Sequence, residues 1–364
     1  MKQIVFFINT LSSGGAEHQL VFLANGLVDK GYDVTVTTFG DDEDYYSYNQ
    51  KIHRVRLAPK KNSVLKLLCI WRYFTKVKAD CVIIFGQRES RLCMPGLMFR
   101  RSKNLKVICG ERNTSFGKPS RQERAVMNLW YRRANYIVPN SRSQYDYIRD
   151  SYPRLSSKTF VITNYTDLSI YQATPLPAGD VIRIGVFGRY NSQKNILRFV
   201  DAVAEVVERT NVPFTIDWYG NKQIKDDINP MYEQMKNRVE KCGVQSYISL
   251  NNHIKNVPEV MMQYDAICLP SLWEGFSNSL SEAICCGRPV LASNVADNSV
   301  MVHHGENGIL FNPKDTHAIA DAIQEFLSLS KDKRQTMGTA SRKIAEHLFN
   351  YSRFVSAYIN LIEA

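Results

Sequence analysis

Two glutamates, Glu274 and Glu282, lie eight residues apart just after an apolar run. The run ends at Pro270, a short loop follows, and a helix is predicted from about residue 278. Ligands of parallel α/β sheets bind beyond the carboxyl ends of the strands, where a carboxylate accepts hydrogen bonds from a vicinal diol. Backbone amides at a helix start favour a pyrophosphate. Further contacts are expected from the loop and the helix start, at Gly275, Phe276, Ser277, Asn278 and Ser279.

Two cations occupy a similar position in GVFGRYNSQKN, residues 185–195. An apolar run ends at Gly188, and the next loop carries Arg189 and Lys194 before a predicted helix. Guanidinium and ammonium groups just after the carboxyl end of a strand suit a diphosphate leaving group, because they neutralise its charge. The alternative is a solvated loop with two ordinary charges, and the glutamate motif counts against it.

A glycine-rich turn, NTLSSGGAEHQL, joins the first apolar run to the first predicted helix at residues 9–20. It does not match GxGxxG, so a redox dinucleotide is not supported. Gly14 and Gly15 would let backbone amides approach a phosphate or a sugar. A simple tight turn explains the two glycines equally well. Glu17 falls inside the helix and is interpreted as structural.

Glu111 and Arg112 follow another apolar run, in CGERN at residues 109–113. Their position at a strand end leaves two interpretations open. They line a sugar or acceptor pocket, or they form a structural ion pair.

The elements that position these residues alternate between apolar strands and amphipathic helices. The first half is predicted to contain strands at 4–8, 34–38, 81–85, 106–109 and 136–139, with a helix at 16–30. The second half is predicted to contain strands at 182–187, 214–219, 247–250, 266–269 and 290–292, with helices at 195–208, 231–241 and 279–286. Such alternation predicts two Rossmann-like doubly wound domains, facing one another across a cleft. The Pro- and Gly-containing stretch 171–180 is the predicted linker.

Length and composition agree with a folded two-domain protein. The chain has 364 residues, of which 44% are hydrophobic and 22% charged. No apolar run is long enough to span a bilayer, and the N-terminal stretch is interpreted as a buried strand rather than a signal peptide. Eight cysteines without a CxxC pair indicate reduced thiols of a cytoplasmic protein, not a zinc or disulfide framework.

The positive charge is concentrated in one half of the chain. Residues 1–170 carry 27 Lys and Arg against 14 Asp and Glu, whereas the remainder carries 19 against 21. A basic half favours an anionic membrane surface or a phosphate-bearing substrate as its partner. Nucleic acid is disfavoured because no nucleic-acid motif accompanies the charge.

The glutamates stand in P-S-x-x-E-G-F, followed by G-x-P-V-L-A-S, and the cations stand in G-R-x-x-x-x-K. With these motifs the chain resembles the retaining glycosyltransferases of family 4, which share an E-x7-E motif and the GT-B fold. The resemblance covers most of the chain and is specific at residues 185–195 and 269–310. It implies a first domain of residues 1–172, which binds the acceptor and includes a returning C-terminal helix at about 350–364. Residues 173–349 would bind the nucleotide-sugar donor.

The resemblance implies a role for each candidate residue. Arg189 and Lys194 would hold the diphosphate, Glu282 the ribose diol and Glu274 the hydroxyls of the donor sugar. The turn at Gly14 and Gly15 would contact the diphosphate and border the acceptor pocket. Family members hold the base near YGN at 219–221 and near 251–262, which here makes Gly220, His253 and Val257 the candidates. Members also place a histidine near residues 109–113, and this chain departs from that pattern.

The implied reaction transfers a sugar, with retention, from a nucleoside-diphosphate sugar, with UDP favoured, to a glycan or lipid-linked acceptor. The expected setting is surface polysaccharide biosynthesis, such as lipopolysaccharide or capsule, without a cofactor or divalent metal. The basic, apolar stretches 63–78 and 91–103 suit peripheral contact with the inner face of the cytoplasmic membrane. The alternative is that their apolar sides pack inward.

Two rival functions remain open at this stage. One is another GT-B enzyme, such as a phosphorylase or an epimerase. The other is a silent nucleotide-sugar-binding or scaffold subunit, and the presence of all four charged residues in the two motifs counts against it.

Overall fold

The computed structural model describes residues 1–12, 14–39, 43–57, 63–99, 104–112, 119–224 and 227–364. The chain forms two compact units. The first comprises Met1–Tyr165 with Tyr351–Ala364, and the second comprises Thr166–Asn350. Each unit contains one six-stranded sheet, which confirms the prediction of two Rossmann-like domains.

The first unit alternates strands and helices along the chain. Its strands are β1 (Gln3–Ile8), β2 (Asp33–Thr38), β3 (His53–Arg56), β4 (Cys81–Phe85), β5 (Lys106–Glu111) and β6 (Tyr136–Pro139). Its first five helices are α1 (Gly15–Asp29), α2 (Ser63–Lys76), α3 (Gln87–Met98), α4 (Arg121–Leu129) and α5 (Arg142–Ser151). The sheet order is β3-β2-β1-β4-β5-β6, and every neighbouring pair is parallel. This is the strand order of a dinucleotide-binding Rossmann domain.

Helix α1 forms where the apolar spacing predicts it. Leu20, Leu23 and Leu27 recur at helical intervals and are fully buried. The helix ends before Gly31, whose φ of +85° lets the chain reverse at low cost. The backbone amide of Tyr32 then donates to the Leu27 carbonyl at 3.0 Å.

Helix α2 has two different apolar faces. Ile70 and Phe74 are fully buried in the core of the first unit. Val64, Leu65 and Leu68 are instead 63%, 49% and 52% exposed. The stretch 63–78 therefore packs inward on one face and presents leucines to solvent on the other. Part of the second basic stretch, residues 100–103, lies outside the described residues.

The second unit repeats the pattern. Its strands are β7 (Ile182–Phe187), β8 (Phe214–Gly220), β9 (Gln223–Ile224), β10 (Asp227–Ile228), β11 (Ile248–Asn252), β12 (Ala266–Leu269), β13 (Val290–Ser293) and β14 (Gly308–Phe311). Its helices are α6 (Ile196–Arg209), α7 (Pro230–Lys241), α8 (Val257–Met261), α9 (Asn278–Cys285), α10 (Asn298–Met301), α11 (Thr316–Ser328) and α12 (Lys331–Leu348). The main sheet has the order β11-β8-β7-β12-β13-β14 and is parallel, and β9 pairs with β10 in a separate antiparallel ribbon.

The C-terminal helix α13 (Tyr351–Glu363) belongs to the first unit. The Tyr351 hydroxyl donates to the Phe22 carbonyl of α1 at 2.9 Å. Val355 packs so closely on Gly26 that a Cβ at that glycine would lie 2.4 Å from Val355 Cγ2. The prediction that this helix returns to the first unit is confirmed.

The linker assignment to 171–180 needs correction, because this stretch lies in the second unit. Tyr171 is 7% exposed, and the Leu176 amide donates to Gln335 Oε1 at 2.8 Å. The buried guanidinium of Arg288 donates to Thr174 Oγ1 at 3.0 Å. The chain instead passes between the units at Tyr165, before the predicted boundary at 172.

Candidate active site

The predicted motifs of the second unit follow two neighbouring strands. The loop after β7 carries Arg189 and Lys194, and the loop after β12 carries Glu274. Because β7 and β12 are adjacent and parallel, both loops leave the same edge of the sheet. Gln193 joins them: its carbonyl accepts from the Leu272 amide at 2.8 Å, and its side-chain amide donates to the Trp273 carbonyl at 3.0 Å.

Lys194 and Glu274 form an ion pair at this edge. Lys194 Nζ lies 2.6 Å from Glu274 Oε1, and the two side chains are 12% and 9% exposed. A charge-assisted hydrogen bond that is so well shielded from solvent is stronger than a surface ion pair, and it holds both groups in position. The structure therefore brings together one cation and one carboxylate that the sequence assigned to the same donor.

The backbone around Lys194 is fixed by two asparagines. The side chain of Asn191 accepts from the Lys194 amide at 3.1 Å and caps the short 3-10 turn Ser192–Lys194. Asn195 adopts a left-handed conformation with φ of 58°, which asparagine tolerates better than most residues. Its side-chain amide donates to the Pro313 carbonyl at 2.7 Å.

Gly220 and Gly188 let the ends of β8 and β7 come close together. A Cβ at Gly220 would lie only 2.5 Å from the Gly188 carbonyl oxygen. That same oxygen accepts a hydrogen bond from the Trp218 indole at 2.8 Å. Gly220 is therefore required for backbone packing at the site.

A cavity of about 210 Å³ opens at this edge of the second unit. Seven of the predicted site residues line it: Gly188, Arg189, Gly220, His253, Val257, Ser279 and Glu282. The remaining lining residues are Phe187, Tyr219, Asn221 and Ile254. Arg189 is exposed at the rim and makes no hydrogen bond or ion pair with the residues that the structure describes. Its guanidinium is therefore available to a ligand.

Glu282 contributes a carboxyl of unusually high pKa to the cavity wall. It lies in α9 and is partly exposed there. Burial raises the pKa of the Glu282 carboxyl to about 7, and the hydrogen bond with Tyr171 opposes only part of that shift. A carboxyl held near its pKa at neutral pH is common at functional sites.

The other predicted residues of this region surround the start of α9. Ser277 precedes the helix, and its hydroxyl lies 3.3 Å from that of Ser279. Phe276 turns inward against Phe349, with ring centroids 6.2 Å apart and an edge-to-face geometry. Gly275 lies in the loop before them, and Asn278 is the first residue of the helix. Phe276 thus anchors this loop, whereas the helix start remains suited to an anion.

The first unit carries the remaining candidates. Gly14 caps α1, and Gly15 begins it. The Glu17 side chain folds back on Gly14, where a Cβ would lie 2.2 Å from Glu17 Oε2. Burial raises the pKa of the Glu17 carboxyl, and its hydrogen bond to its own backbone amide lowers it by less. The Glu17 carboxyl therefore lies beside Gly14, at the helix start that the sequence assigned to a phosphate, as the helix dipole favours.

Glu111 and Arg112 both have structural contacts inside the first unit. Glu111 is 1% exposed and accepts a hydrogen bond from the Tyr131 hydroxyl, and burial raises its pKa to about 7. Arg112 donates to Asn164 Oδ1 at 3.2 Å and to the Tyr358 hydroxyl at 2.5 Å. The expectation that Glu111 lines a pocket is therefore corrected, because its carboxyl is enclosed by the core.

The sequence did not single out the aromatic side of the site. Tyr219 and Phe187 stack with centroids 5.0 Å apart at an interplanar angle of 12°. The Tyr219 hydroxyl lies 2.7 Å from that of Tyr264. Phe187 and Tyr219 each precede a glycine at a strand end, and Tyr219 also belongs to the YGN stretch that the family resemblance marks. Tyr171 carried no signal, because it lies in the stretch assigned to a linker.

Family models match both units. One described as Glycosyltransferase Family 4 matches residues 13–170, and one described as Glycosyl transferases group 1 matches residues 181–329. The chain belongs to the glycosyltransferases of family 4, with the GT-B architecture.

Curated relatives and solved structures agree with this family. The lipopolysaccharide core biosynthesis mannosyltransferase LpsB of Rhizobium meliloti is 30% identical to this chain over the matched region. That region covers 43% of this chain and 44% of LpsB, which is less than half of either protein. The GalNAc-alpha-(1->4)-GalNAc-alpha-(1->3)-diNAcBac-PP-undecaprenol alpha-1,4-N-acetyl-D-galactosaminyltransferase of Campylobacter jejuni is 21% identical over 100% of this chain and 98% of its own length. Anabaena HepE, in complex with UDP and glucose, has the same fold with a TM-score of 0.83, 19% identity and 100% coverage of both chains.

Proposed function

We propose that this chain transfers a hexosyl group from a UDP-sugar to a hydroxyl of a lipid-linked saccharide, with retention of configuration. The observation that carries the proposal is the Lys194–Glu274 pair, at 2.6 Å, at the sheet edge where Glu282 lines a cavity. A cation for the diphosphate and a carboxylate for sugar hydroxyls thus stand side by side. The undecaprenol-linked substrate in the name of the Campylobacter relative supports the acceptor class.

The proposed reaction moves one bond and one proton. The bond between the anomeric carbon and the β-phosphate oxygen breaks, and a bond to the acceptor oxygen forms. The acceptor proton passes to the departing phosphate, while Lys194 and Arg189 stabilise the charge that develops there. Glu282 accepts hydrogen bonds from the ribose diol, and Glu274 orients the donor sugar. Neither glutamate acts as a nucleophile.

The donor class is tested by screening nucleotide sugars for hydrolysis and thermal stabilisation. We expect one UDP-sugar to be turned over, and UDP at 100 times its Kd to stabilise the fold by about 2.7 kcal/mol. Turnover is expected to persist in EDTA, because Arg189 and Lys194 supply the positive charge. Loss of turnover in EDTA would contradict the metal-free part of the proposal. Turnover with inorganic phosphate in place of an acceptor would favour a phosphorylase, and nucleotide binding without any turnover a scaffold subunit.

A peripheral contact with an anionic membrane is part of the proposal. Leu65, Leu68, Arg72 and Lys76 follow one another at helical spacing along one exposed face of α2. We call these four residues the α2 stripe. Apolar side chains flanked by cations suit the boundary between lipid headgroups and acyl chains. No helix in the described part of the chain combines the length and apolar character needed to cross a bilayer.

Replacing Leu65 and Leu68 by serine is expected to weaken binding to phosphatidylglycerol vesicles about tenfold or more, because each leucine loses its burial in lipid. Flotation with increasing vesicle concentration measures this. The matched control is Leu129→Ser with Ile170→Ser, two aliphatic residues that are 53% and 51% exposed elsewhere. Equal loss in both variants, or no vesicle binding by the unmodified protein, would refute the contact.

A further inference from the structure

The first unit contains a second cavity, of about 590 Å³, and none of the predicted site residues lines it. It lies between α4, the end of α5 and the following 3-10 segment, Pro153–Lys158. Three arginines from three different segments line it: Arg124, Arg132 and Arg154. We call it the arginine cavity. Its volume falls in the range of small-molecule sites, about 300–1,000 Å³.

Among the described residues, no carboxylate forms an ion pair with the arginines of the arginine cavity. The side chains of Arg124, Arg132 and Arg154 make no hydrogen bond or ion pair within the described ranges of the chain. One carboxylate, that of Asp150, also lines the cavity, but it accepts a hydrogen bond from Arg149 Nε at 2.8 Å. Three guanidinium groups around one opening repel each other, and a bound anion would relieve that repulsion.

The neutral part of the lining includes a hydrogen-bond donor and an aromatic wall. Asn128 contributes a side-chain amide, and Tyr152 forms part of the wall. The Tyr152 hydroxyl is buried, and the side chains beside it, those of Glu123 and Tyr147, do not line the cavity. Burial and the Glu123 carboxylate both raise the pKa of Tyr152, so the hydroxyl keeps its proton at neutral pH. Asn128 is therefore the neutral donor that we assign to an anion in this cavity.

Guanidinium forks match the oxygen atoms of phosphate better than a point charge does, because two parallel N–H groups meet two oxygens. We propose that the arginine cavity binds the phosphate or diphosphate group of a second ligand, distinct from the sugar donor. The ligand is a soluble phosphate ester or an anionic lipid headgroup, since both present the same group. The site is built from the first unit alone, whereas the donor cavity is built from the second.

The test uses inorganic diphosphate as the probe, titrated calorimetrically at physiological ionic strength. Because the donor site also attracts diphosphate, the titration is made in the Arg189→Gln/Lys194→Gln variant. Binding is expected to persist there and to fall at least about tenfold when Arg124, Arg132 and Arg154 are also replaced by glutamine. The control replaces Lys51, Arg121 and Arg133, which are exposed and outside the cavity, and so removes the same net charge.

Two further measurements sharpen the result. Asn128→Ala removes only the side-chain amide of an exposed lining residue and is expected to weaken diphosphate binding severalfold without unfolding the protein. Vesicles of phosphatidylglycerol separate the two sources: a loss of flotation in the arginine variant identifies a headgroup, and unchanged flotation identifies a soluble ligand. Equal diphosphate affinity in the cavity and control variants would overturn the proposal. So would the absence of diphosphate binding once Arg189 and Lys194 are replaced.

Discussion

Replacing Lys194 by alanine is expected to lower kcat by about 100- to 1,000-fold, with a smaller change in the KM for the UDP-sugar. The methylene stem of Lys194 lies next to Gly188, which lines the donor cavity: a Cβ built on that glycine would lie 3.1 Å from Lys194 Cδ and Cε. In the proposed reaction the ammonium group stabilises the charge that grows on the departing phosphate. A group that acts mainly as the bond breaks changes kcat more than it changes binding.

The same substitution is expected to lower the free energy of unfolding by on the order of 2 kcal/mol, because Glu274 loses its ammonium partner at a site shielded from solvent. The double variant Lys194→Ala/Glu274→Ala separates the structural role of the pair from its catalytic role. Removing both charges should restore much of the stability but none of the turnover. Denaturant unfolding and steady-state kinetics on the two variants and the unmodified protein measure the two effects.

A matched control for this pair is Arg238→Ala, which breaks another ion pair of the second unit. Arg238 donates to Asp201 at 2.5 and 2.8 Å, and both side chains are about a third exposed, 37% and 30%. Arg238 does not line the donor cavity, so its loss should leave turnover nearly unchanged. Stability should also change little, since surface pairs contribute little to it. If the double variant at Lys194 and Glu274 regained turnover, the pair would be structural and the proposed roles would fail.

Hydrophobic periodicity predicted most of the elements, because buried parallel strands and amphipathic helices leave strong patterns. The strand predicted at 182–187 agrees with β7, and that at 266–269 agrees with β12. The strand β3 was missed because its residues, HRVR, are only partly buried and carry no apolar run. Pairing with β2 stabilises this edge strand, and such pairing cannot be read from the local sequence.

The structure brings predicted residues together where they follow strand ends, whereas contacts that depend on packing left no signal in the sequence. Arg189 and Glu282 line one cavity because the two motifs follow strands that are neighbours in the sheet. The hydrogen bond between Tyr171 and Glu282 depends on how an irregular segment folds back on α9. Composition identified that segment as irregular but gave no information on its contacts. Glu111 was misplaced for the same reason, since its enclosure by Tyr131 is a tertiary contact.

Glu282→Gln is expected to stabilise the unliganded protein while weakening the binding of the UDP-sugar. Burial raises the pKa of this carboxyl from 4.5 to about 7, so the fold favours its neutral form. Between about pH 4.5 and 7 the native state holds more of this proton than the unfolded state, and stability falls as the pH rises through this window. Glutamine is neutral at every pH and avoids that cost, on the order of 2 kcal/mol at pH 8.

The effect on binding has the opposite sign. A carboxylate accepts two hydrogen bonds from a ribose diol, whereas glutamine offers one oxygen and no charge, so affinity should fall about 10- to 100-fold. In the unmodified protein the affinity for a UDP-sugar should rise with pH up to about 7 and then level off, as Glu282 ionises. A UDP-sugar is the right probe because its diphosphate, esterified at both ends, keeps a constant charge across this range.

Calorimetric titrations at several pH values, with thermal unfolding of the same samples, test both signs together. The control is His253→Gln. Like Glu282, His253 is an ionisable residue that lines the donor cavity. The pH dependence should survive in His253→Gln and disappear in Glu282→Gln. The assignment of Glu282 to the ribose would be contradicted if the Glu282→Gln protein were less stable and bound the UDP-sugar with unaltered affinity. The carboxyl would then be a structural group and not a ribose ligand that destabilises the fold.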